Sequence, residues 1–568
     1  RYVDNIVERA ARNAVQIVVD AGAVHEAVEL GESPSLPPVP AAEAQASFER
    51  AWSVAGNDAR TFVCALALYR AQATPHARVA GVLAADGWDD ARTKKAATDA
   101  VRRHLVTREA EALSMHPLLR TFARTRGAEL LNVTVKNAHV KAFVARATAF
   151  ADSPGDRSKY AELAHDEFDL AIWDTRGVAL ASGDRMSIGK AIREAGQFGT
   201  ARSWYERAAE EHRQGDVHGR VDHSELGRSL HNVGVCLGEQ GQFAEARGWF
   251  ERAAEEKRQG DVHGRVDHSS LGKSLHNVGV CLSSQGQFAE AREWYERAAE
   301  EYRQGDVHGR VDHSELGRSL YCVGFCLSSQ GQFAEARGWH ERAAEEYRQG
   351  DVHGRVDHSE LGKSLHQVGF CLSSQGQFAE ARGWFERAAE EHRRGDVHGR
   401  VNHALLGTSL HNVGFCLSEQ GQFAEARGWY ERAAEEYRQG DVHGRVDHSE
   451  LGTSLHNVGA CLSSQGQFAE ARGWYERAAE EKRQGDVHGR VDHSSLGTSL
   501  HHVGVCLSSQ GQFAEALRWY ERAVEEMRHG DIFGRVDTVS LATTLDALAR
   551  TLDRLGRPDD ARPHREEA

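Results

Sequence analysis

The sequence lacks any apolar run of the roughly 20 residues that a membrane-spanning helix needs, and residues 1–20 lack the apolar core of a secretory signal. It also lacks an excess of basic residues, because 69 Lys and Arg stand against 84 Asp and Glu for a formal net charge of −15. Non-specific nucleic-acid binding requires a basic face. We therefore expect a cytoplasmic protein without membrane or nucleic-acid partners.

Recognisable catalytic motifs are absent as well, since no Gly-x-Gly-x-x-Gly, His-Glu-x-x-His or Gly-x-Ser-x-Gly occurs. The segment 271–274 (Leu-Gly-Lys-Ser) ends like a phosphate-binding loop. It lacks the glycine five residues earlier, and equivalent segments carry Arg or Thr in place of the lysine. We predict that the protein is not an enzyme and holds no cofactor.

Cysteine is scarce, and seven of the nine recur at one spacing: Cys236, Cys281, Cys326, Cys371, Cys416, Cys461 and Cys506. Thiols on equivalent helices of successive repeats would lie about 8–10 Å apart, and a disulfide needs Cα atoms within about 7 Å. We therefore predict buried free thiols in a reducing compartment.

What the sequence does contain is a repeat. Gly-Gln-Phe recurs every 45 residues, starting at Gly196, Gly241, Gly286, Gly331, Gly376, Gly421, Gly466 and Gly511, with a degenerate copy at Gly556. In one unit, Leu226 and Leu230 begin a series with helical spacing, and a second helix is predicted from Phe243. Gly234 lies inside the first helix, where it would let the second helix approach closely. Such a hairpin cannot bury its own apolar faces, so the copies must stack.

The unit resembles the tetratricopeptide signature through Leu230, Val233, Gly234, Leu237, Gly241, Phe243, Ala246, Phe250 and Ala253. In length and in its Leu-His-Asn-Val-Gly core, it is most similar to the long repeats of kinesin-light-chain-type proteins. The usual closing proline is missing. The resemblance covers residues 185–568 and implies an all-α fold, a right-handed superhelical solenoid of helix-turn-helix repeats that ends in a degenerate cap.

In tetratricopeptide arrays the first helix of each hairpin lines the concave face, so the resemblance implies a peptide-binding groove on these helices. The residues predicted for it are His231, Asn232, Asn277, Tyr321, Phe325, Gln367, Phe370, Asn412, Phe415, Asn457 and His501. Asparagine amides offer both a donor and an acceptor to a peptide backbone. The three phenylalanines indicate either an apolar pocket or ordinary packing between helices, and the sequence leaves both open.

Two further repeated features have structural interpretations. The linker Asp-Val-His-Gly-Arg-Val-Asp-His contains two histidines, but the last copy (531–538) loses both and keeps Gly, Arg and Asp. We therefore favour a turn over a metal site. The tryptophans that recur from Trp204 to Trp519 are assigned to the core.

The N-terminal third is divided into a segment with a Pro-rich linker (1–44), a helical module (45–127) and a helical connector (128–184). The module resembles the winged-helix part of bacterial STAND-type, NB-ARC-like signalling NTPases, notably at Met115-His116-Pro117. The resemblance implies nucleotide sensing by His116. The phosphate loop and magnesium-binding motif of that family are missing, so packing is the alternative role for this histidine.

Together these features predict a non-enzymatic scaffold that binds a protein or peptide, as the sensor arm of a bacterial signalling or defence protein. One alternative is a nucleotide-dependent switch whose NTPase domain is absent from this chain. Another is an architectural scaffold that self-assembles into a homo-oligomer. Because the chain begins at Arg1, we expect a fragment or a processed chain.

Overall fold

The computed structural model describes residues 49–69, 73–103, 105–110, 112–115, 119–120, 122–123, 130–131, 133–151, 182–216 and 218–568. The segment 1–44 and His116 lie outside these ranges. The chain divides into two compact units. The first runs to Glu256 and includes 261–263, and the second comprises 257–260 and all residues from Gly264 onward.

The first unit opens with a small module of helices and short strands. Its elements are α1 (Asn57–Ala67), β1 (Ala73–Pro75), α2 (His76–Ala84), α3 (Asp90–Arg102), β2 (Thr107–Glu109) and β3 (Ala112–Ser114). The strands form an antiparallel sheet in the order β1-β3-β2, with Leu113 opposite Thr74 and Arg108. These elements lie within residues 45–127, for which the sequence predicts a winged-helix-like module.

The other elements described in the first unit are helices. They are α4 (Val133–Ala151), α5 (Ser182–Glu194), α6 (Phe198–Gln214), α7 (His223–Glu239) and most of α8 (Phe243–Gln259). Gly234 lies in α7, and a Cβ built there would come within 2.8 Å of the Phe250 ring on α8. The helix-interior glycine therefore permits close packing of the two helices, as the sequence predicts.

The second unit continues the same helix pairs. They are α9 (His268–Ser284), α10 (Phe288–Gln304), α11 (His313–Ser329), α12 (Phe333–Gln349), α13 (His358–Ser374), α14 (Phe378–Arg394), α15 (His403–Glu419), α16 (Phe423–Tyr437), α17 (His448–Ser464), α18 (Phe468–Lys482), α19 (His493–Ser509), α20 (Phe513–His529), α21 (Thr538–Arg554) and α22 (Pro558–Glu567). Each pair forms a hairpin that packs on the next. The prediction of an all-α solenoid of helix-turn-helix repeats is confirmed.

Each hairpin is delimited by the same local signals. Asp312, for example, is the N-cap of α11, and its side chain accepts a hydrogen bond from the Glu315 amide at 3.2 Å. The helix gives way to a turn at Gly331, whose φ of +76° is readily adopted only by glycine. Capping and turn chemistry thus fix where each helix begins and ends.

The core consists of leucine, valine, alanine and cysteine side chains between the helices, together with buried aromatic rings such as Tyr302 and Phe385. All nine cysteines are free thiols, and the seven repeated ones are buried, as predicted. Burial raises the pKa of the Cys326 thiol to about 12. Among the helices that the structure describes, none is long and apolar enough to cross a membrane.

Candidate functional site

The first helices of the second unit carry three exposed phenylalanines at equivalent positions, which we call the Phe column: Phe325, Phe370 and Phe415. Their exposed fractions are 46%, 44% and 38%. Each ring lies edge-on to the phenylalanine that begins the second helix of the preceding hairpin, at centroid distances of 6.2, 6.0 and 6.0 Å. These partners, Phe288, Phe333 and Phe378, hold the exposed rings in place.

Side chains two turns before the Phe column are polar. Lys363 donates to Glu360 on the same helix at 2.7 Å, and Arg318 pairs with Glu315 in the same way. In the next hairpin the equivalent residue is Thr408, which donates to its own helix at Ala404. The charges beside the Phe column are therefore largely balanced within each helix.

Histidines on the first helices connect successive hairpins instead of facing outward. The Nδ1 atom of His366 lies 3.2 Å from the Ser409 hydroxyl, and its Nε2 accepts a hydrogen bond from Asn412 Nδ2 at 3.2 Å. His411 repeats both contacts with Ser454 and Asn457, at 2.9 and 3.3 Å. We call this pair of bonds to the next first helix the histidine clamp.

The clamp requires a neutral imidazole. Because Asn412 donates to Nε2 of His366, that nitrogen must be an acceptor, and Nδ1 then carries the proton toward Ser409. Burial lowers the pKa of His366 and of His411 to about 4. These rings are therefore uncharged at neutral pH.

Other junctions contain only one half of the clamp. His276, His456 and His501 bond to the hydroxyls of Ser319, Ser499 and Thr544 at 2.9, 3.0 and 3.0 Å. The residues in the asparagine position of the following helices are Cys322, His502 and Ala547. The clamp is thus complete only where a histidine is followed by an asparagine one repeat later.

The structure places the predicted groove residues as follows. The phenylalanines share one exposed face, while Asn412 and Asn457 lie beside it, each with its Nδ2 bonded to a histidine. Asn277 and Gln367 are half-buried at the same position. Tyr321, also half-buried, packs edge-on against His340 at 5.2 Å. In the first unit, His231 and Asn232 are half-buried, and the His231 ring lies 5.1 Å from Phe250.

Sequence reasoning missed the clamp, although a signal for it existed. A serine recurs two residues before each histidine position and is fully buried in the otherwise apolar stripe, at Ser229, Ser274, Ser319, Ser364, Ser409, Ser454 and Ser499. Buried hydroxyls need partners. Their recurrence indicated that a polar side chain of another helix had to reach them.

The linker is a turn held by its own aspartate. Asp306 accepts hydrogen bonds from the His308 amide at 2.8 Å and the Arg310 amide at 3.0 Å, and it pairs with the Arg310 guanidinium. These contacts lower the pKa of Asp306 to about 2. The second histidine of the linker forms a hydrogen bond outside the turn. In this copy, His313 Nδ1 lies 2.7 Å from the Glu346 carboxylate. The described residues contain no group of three or more His, Cys, Asp or Glu suited to a metal ion.

The repeated tryptophans pack at the edge of the core. Trp429, for example, lies against the apolar cluster that contains Leu410 and Tyr437, and the Arg432 guanidinium covers its ring at 4.2 Å. This arrangement agrees with their assignment to the core.

Family models match the helix pairs along the chain. The tetratricopeptide-repeat models match residues 226–259, 271–305, 360–439, 405–483, 496–528 and 542–567. A Sel1-repeat model matches residues 197–212 and 313–346. A comparison with curated protein sequences gave no match.

Three solved structures illustrate the likeness. BtubC (BKLC) from P. vanneervenii is 16% identical over 42% of this chain and 90% of that chain, with a TM-score of 0.35. A putative kinesin light chain from Podospora anserina with nearly identical TPR-like repeats is 20% identical over 38% and 97%, with a TM-score of 0.30. The STAND protein PH0952 from Pyrococcus horikoshii, which has a tetratricopeptide-repeat sensor, is 12% identical over 87% and 66%, with a TM-score of 0.42.

The helix pairs, their close packing at an internal glycine and the family matches all describe one kind of molecule. The chain is a tetratricopeptide-repeat protein.

Proposed function

We propose that this protein is a non-enzymatic scaffold that binds a protein or peptide through the Phe column. The observation that supports this most is the exposure of Phe325, Phe370 and Phe415, which are aligned on one face while Val323, Val368 and Val413 on the same helices are fully buried. Contiguous exposed apolar side chains mark partner sites.

The spacing of the column suggests the form of the ligand. Packed helices lie about 8–10 Å apart. A segment in the polyproline II conformation has about three residues per turn and rises about 3.1 Å per residue, so every third side chain points the same way and could meet a phenylalanine. We propose a ligand with apolar side chains at this spacing, with the Oδ1 atoms of Asn412 and Asn457 accepting hydrogen bonds from its backbone.

The biological setting is a further proposal. The winged-helix order of residues 57–114 supports the hypothesis that the array is the sensor arm of a bacterial signalling or defence protein. His116 keeps its proposed role in nucleotide sensing within that hypothesis. Nucleotide binding by the chain would favour the switch alternative, and assembly that rises with protein concentration without a ligand would favour the architectural one.

The test compares two matched triple variants of the full chain in pull-downs from lysate. One carries Phe325→Ser, Phe370→Ser and Phe415→Ser. The control carries Val307→Ser, Val352→Ser and Val397→Ser in the linkers, where the valines are 42%, 40% and 38% exposed. We expect the wild type and the control to capture a common partner and the phenylalanine variant to lose it. Equal capture by both variants, with equal thermal stability, would rule out the Phe column.

A further inference from the structure

A cavity of about 560 Å³ opens in the first unit where the turn between α5 and α6 faces α7. Arg193 and Glu194 line it from α5, Phe198 from the start of α6, and Val235 and Glu239 from α7. Ligand sites in proteins have volumes of about 300–1,000 Å³. The cavity is therefore large enough to hold a ligand group, and it shares no residue with the Phe column.

The cavity borders a position where the side chain is shorter than in later copies. In the second unit, the exposed Phe325 ring lies edge-on to Phe288, the first residue of a second helix, at 6.2 Å. The equivalents in the first unit are Val235 and Phe198. A valine cannot extend over the neighbouring ring as a phenylalanine does. Space therefore stays open beside Phe198, and its walls there are apolar.

The rim of the cavity carries one uncompensated negative charge. Arg193 Nη2 donates to the Glu194 carboxylate at 2.8 Å, so these two charges balance each other. Glu239 is exposed, and within the described part of the chain its carboxylate takes part in no ion pair or hydrogen bond. Later copies mostly hold serine at its position, as at Ser284 and Ser329. The repeat fold therefore does not require a carboxylate there.

The walls and the rim together select a particular ligand chemistry. The apolar surfaces of Phe198 and Val235 favour an aromatic or aliphatic group, since contact removes both from water. A free carboxylate favours a cation that can donate a charge-assisted hydrogen bond. An anion could approach Arg193, but it would also meet the carboxylates of Glu194 and Glu239. Like charges repel at such distances, so the cavity discriminates against anions.

We propose that this cavity, which we call the amine pocket, binds an apolar group that carries a primary ammonium. The apolar group packs against Phe198 and Val235, and the ammonium donates to the Glu239 carboxylate. Both the first residue of a peptide and a free arylalkyl amine have this chemistry. The proposal goes beyond ligand binding at the Phe column and does not depend on it, so either site can fail without the other.

The test titrates three probes against the full chain by saturation-transfer NMR. The probes are 2-phenylethylamine, phenylalanyl-glycinamide with a free amino terminus, and the anion 3-phenylpropionate. We expect both amines to bind about tenfold more tightly than the anion, as one charge-assisted hydrogen bond allows. Tighter binding of phenylalanyl-glycinamide would identify a peptide amino terminus as the ligand. Tighter binding of 2-phenylethylamine would identify a free amine.

Three variants use residues that other copies already carry at the same positions, so each is compatible with the repeat fold. Val235→Phe fills the amine pocket and should weaken amine binding about tenfold or more. Glu239→Ser removes the carboxylate and should abolish the preference for amines over 3-phenylpropionate. Val280→Phe makes the same change one copy later, outside the pocket, and should leave binding unchanged.

Equal thermal unfolding midpoints by circular dichroism establish that the variants are folded. Absence of amine binding to the wild type would overturn the proposal. Binding of 3-phenylpropionate as tight as that of the amines, or amine binding that Val235→Phe leaves unchanged, would also overturn it.

Discussion

At the scale of single residues, the same first helices carry two kinds of side chain with different tasks. The phenylalanines are exposed and contribute little to the core, whereas His366 and His411 are half-buried and hold neighbouring hairpins together. The asparagines belong to both groups, because Asn412 donates to His366 and also borders the exposed face. Replacing one of these asparagines with alanine would weaken the packing between hairpins as well as a ligand contact. Variants of the phenylalanines therefore test binding with less effect on stability.

The clamp histidines make stability depend on pH. The folded pKa of His366 and of His411 is about 4, whereas an unfolded histidine titrates near about 6.5. Between these values only the unfolded state binds the extra proton, so stability falls as the pH is lowered from 6.5 toward 4. Each histidine can account for up to about 3 kcal/mol.

We expect the thermal unfolding midpoint, followed by circular dichroism, to be steady between pH 6.5 and pH 8 and to fall below pH 6.5. A His411→Gln variant should show a shallower decline. The linker aspartates act at lower pH, since the pKa of Asp306 is about 2. A midpoint that stays constant from pH 7 to pH 4.5 would contradict the neutral clamp.

The buried Lys482 provides a second residue-scale prediction. Burial lowers its pKa to about 8 from an ordinary 10.5, and its Nζ donates to the Ser495 carbonyl at 3.1 Å. Between these values only the unfolded state stays protonated, so the lysine is most costly below pH 8. Met527 fills the equivalent place in α20.

We therefore expect Lys482→Met to stabilise the protein by about 1–3 kcal/mol at pH 7. The gain should shrink as the pH rises toward 10.5. Urea unfolding at pH 7 and pH 10 measures both values. A loss of stability at pH 7 would show that the bond to Ser495 outweighs the burial of the charge.

At the scale of elements, the linker turn determines where each second helix ends. Gly305 follows α10 with φ +81°, and a Cβ there would lie 2.7 Å from the Arg310 carbonyl oxygen. Gly309 in the same turn has φ +73°, but a Cβ there meets nothing within 4 Å. Alanine at Gly309 would therefore introduce backbone strain alone, whereas alanine at Gly305 would introduce both backbone strain and a steric clash.

We predict that Gly309→Ala costs about 1 kcal/mol, the price of a left-handed residue. Gly305→Ala should cost more, about 2–4 kcal/mol, since the backbone of the turn must also move. Chemical denaturation of both variants provides the comparison. Equal losses of stability would mean that the backbone at Arg310 can move away from the added Cβ at little energetic cost.

At the scale of the whole molecule, the sequence allowed prediction of everything that depends on local periodicity. The hairpins and the close approach at Gly234 follow from spacing within one unit, and the free thiols follow from the repeat interval. The partners in the clamp were not predicted, because His366 and Ser409 are 43 residues apart and meet only through packing of successive hairpins. The groove residues stay a prediction.

The most direct measurement for the Phe column is site-specific photo-crosslinking in cells. Benzoylphenylalanine replaces Phe370 in one variant and Val352, on the neighbouring linker, in another. The account predicts a covalent adduct of one defined partner from position 370 and none from position 352. An adduct from position 352 alone would contradict the account and locate binding on the linkers.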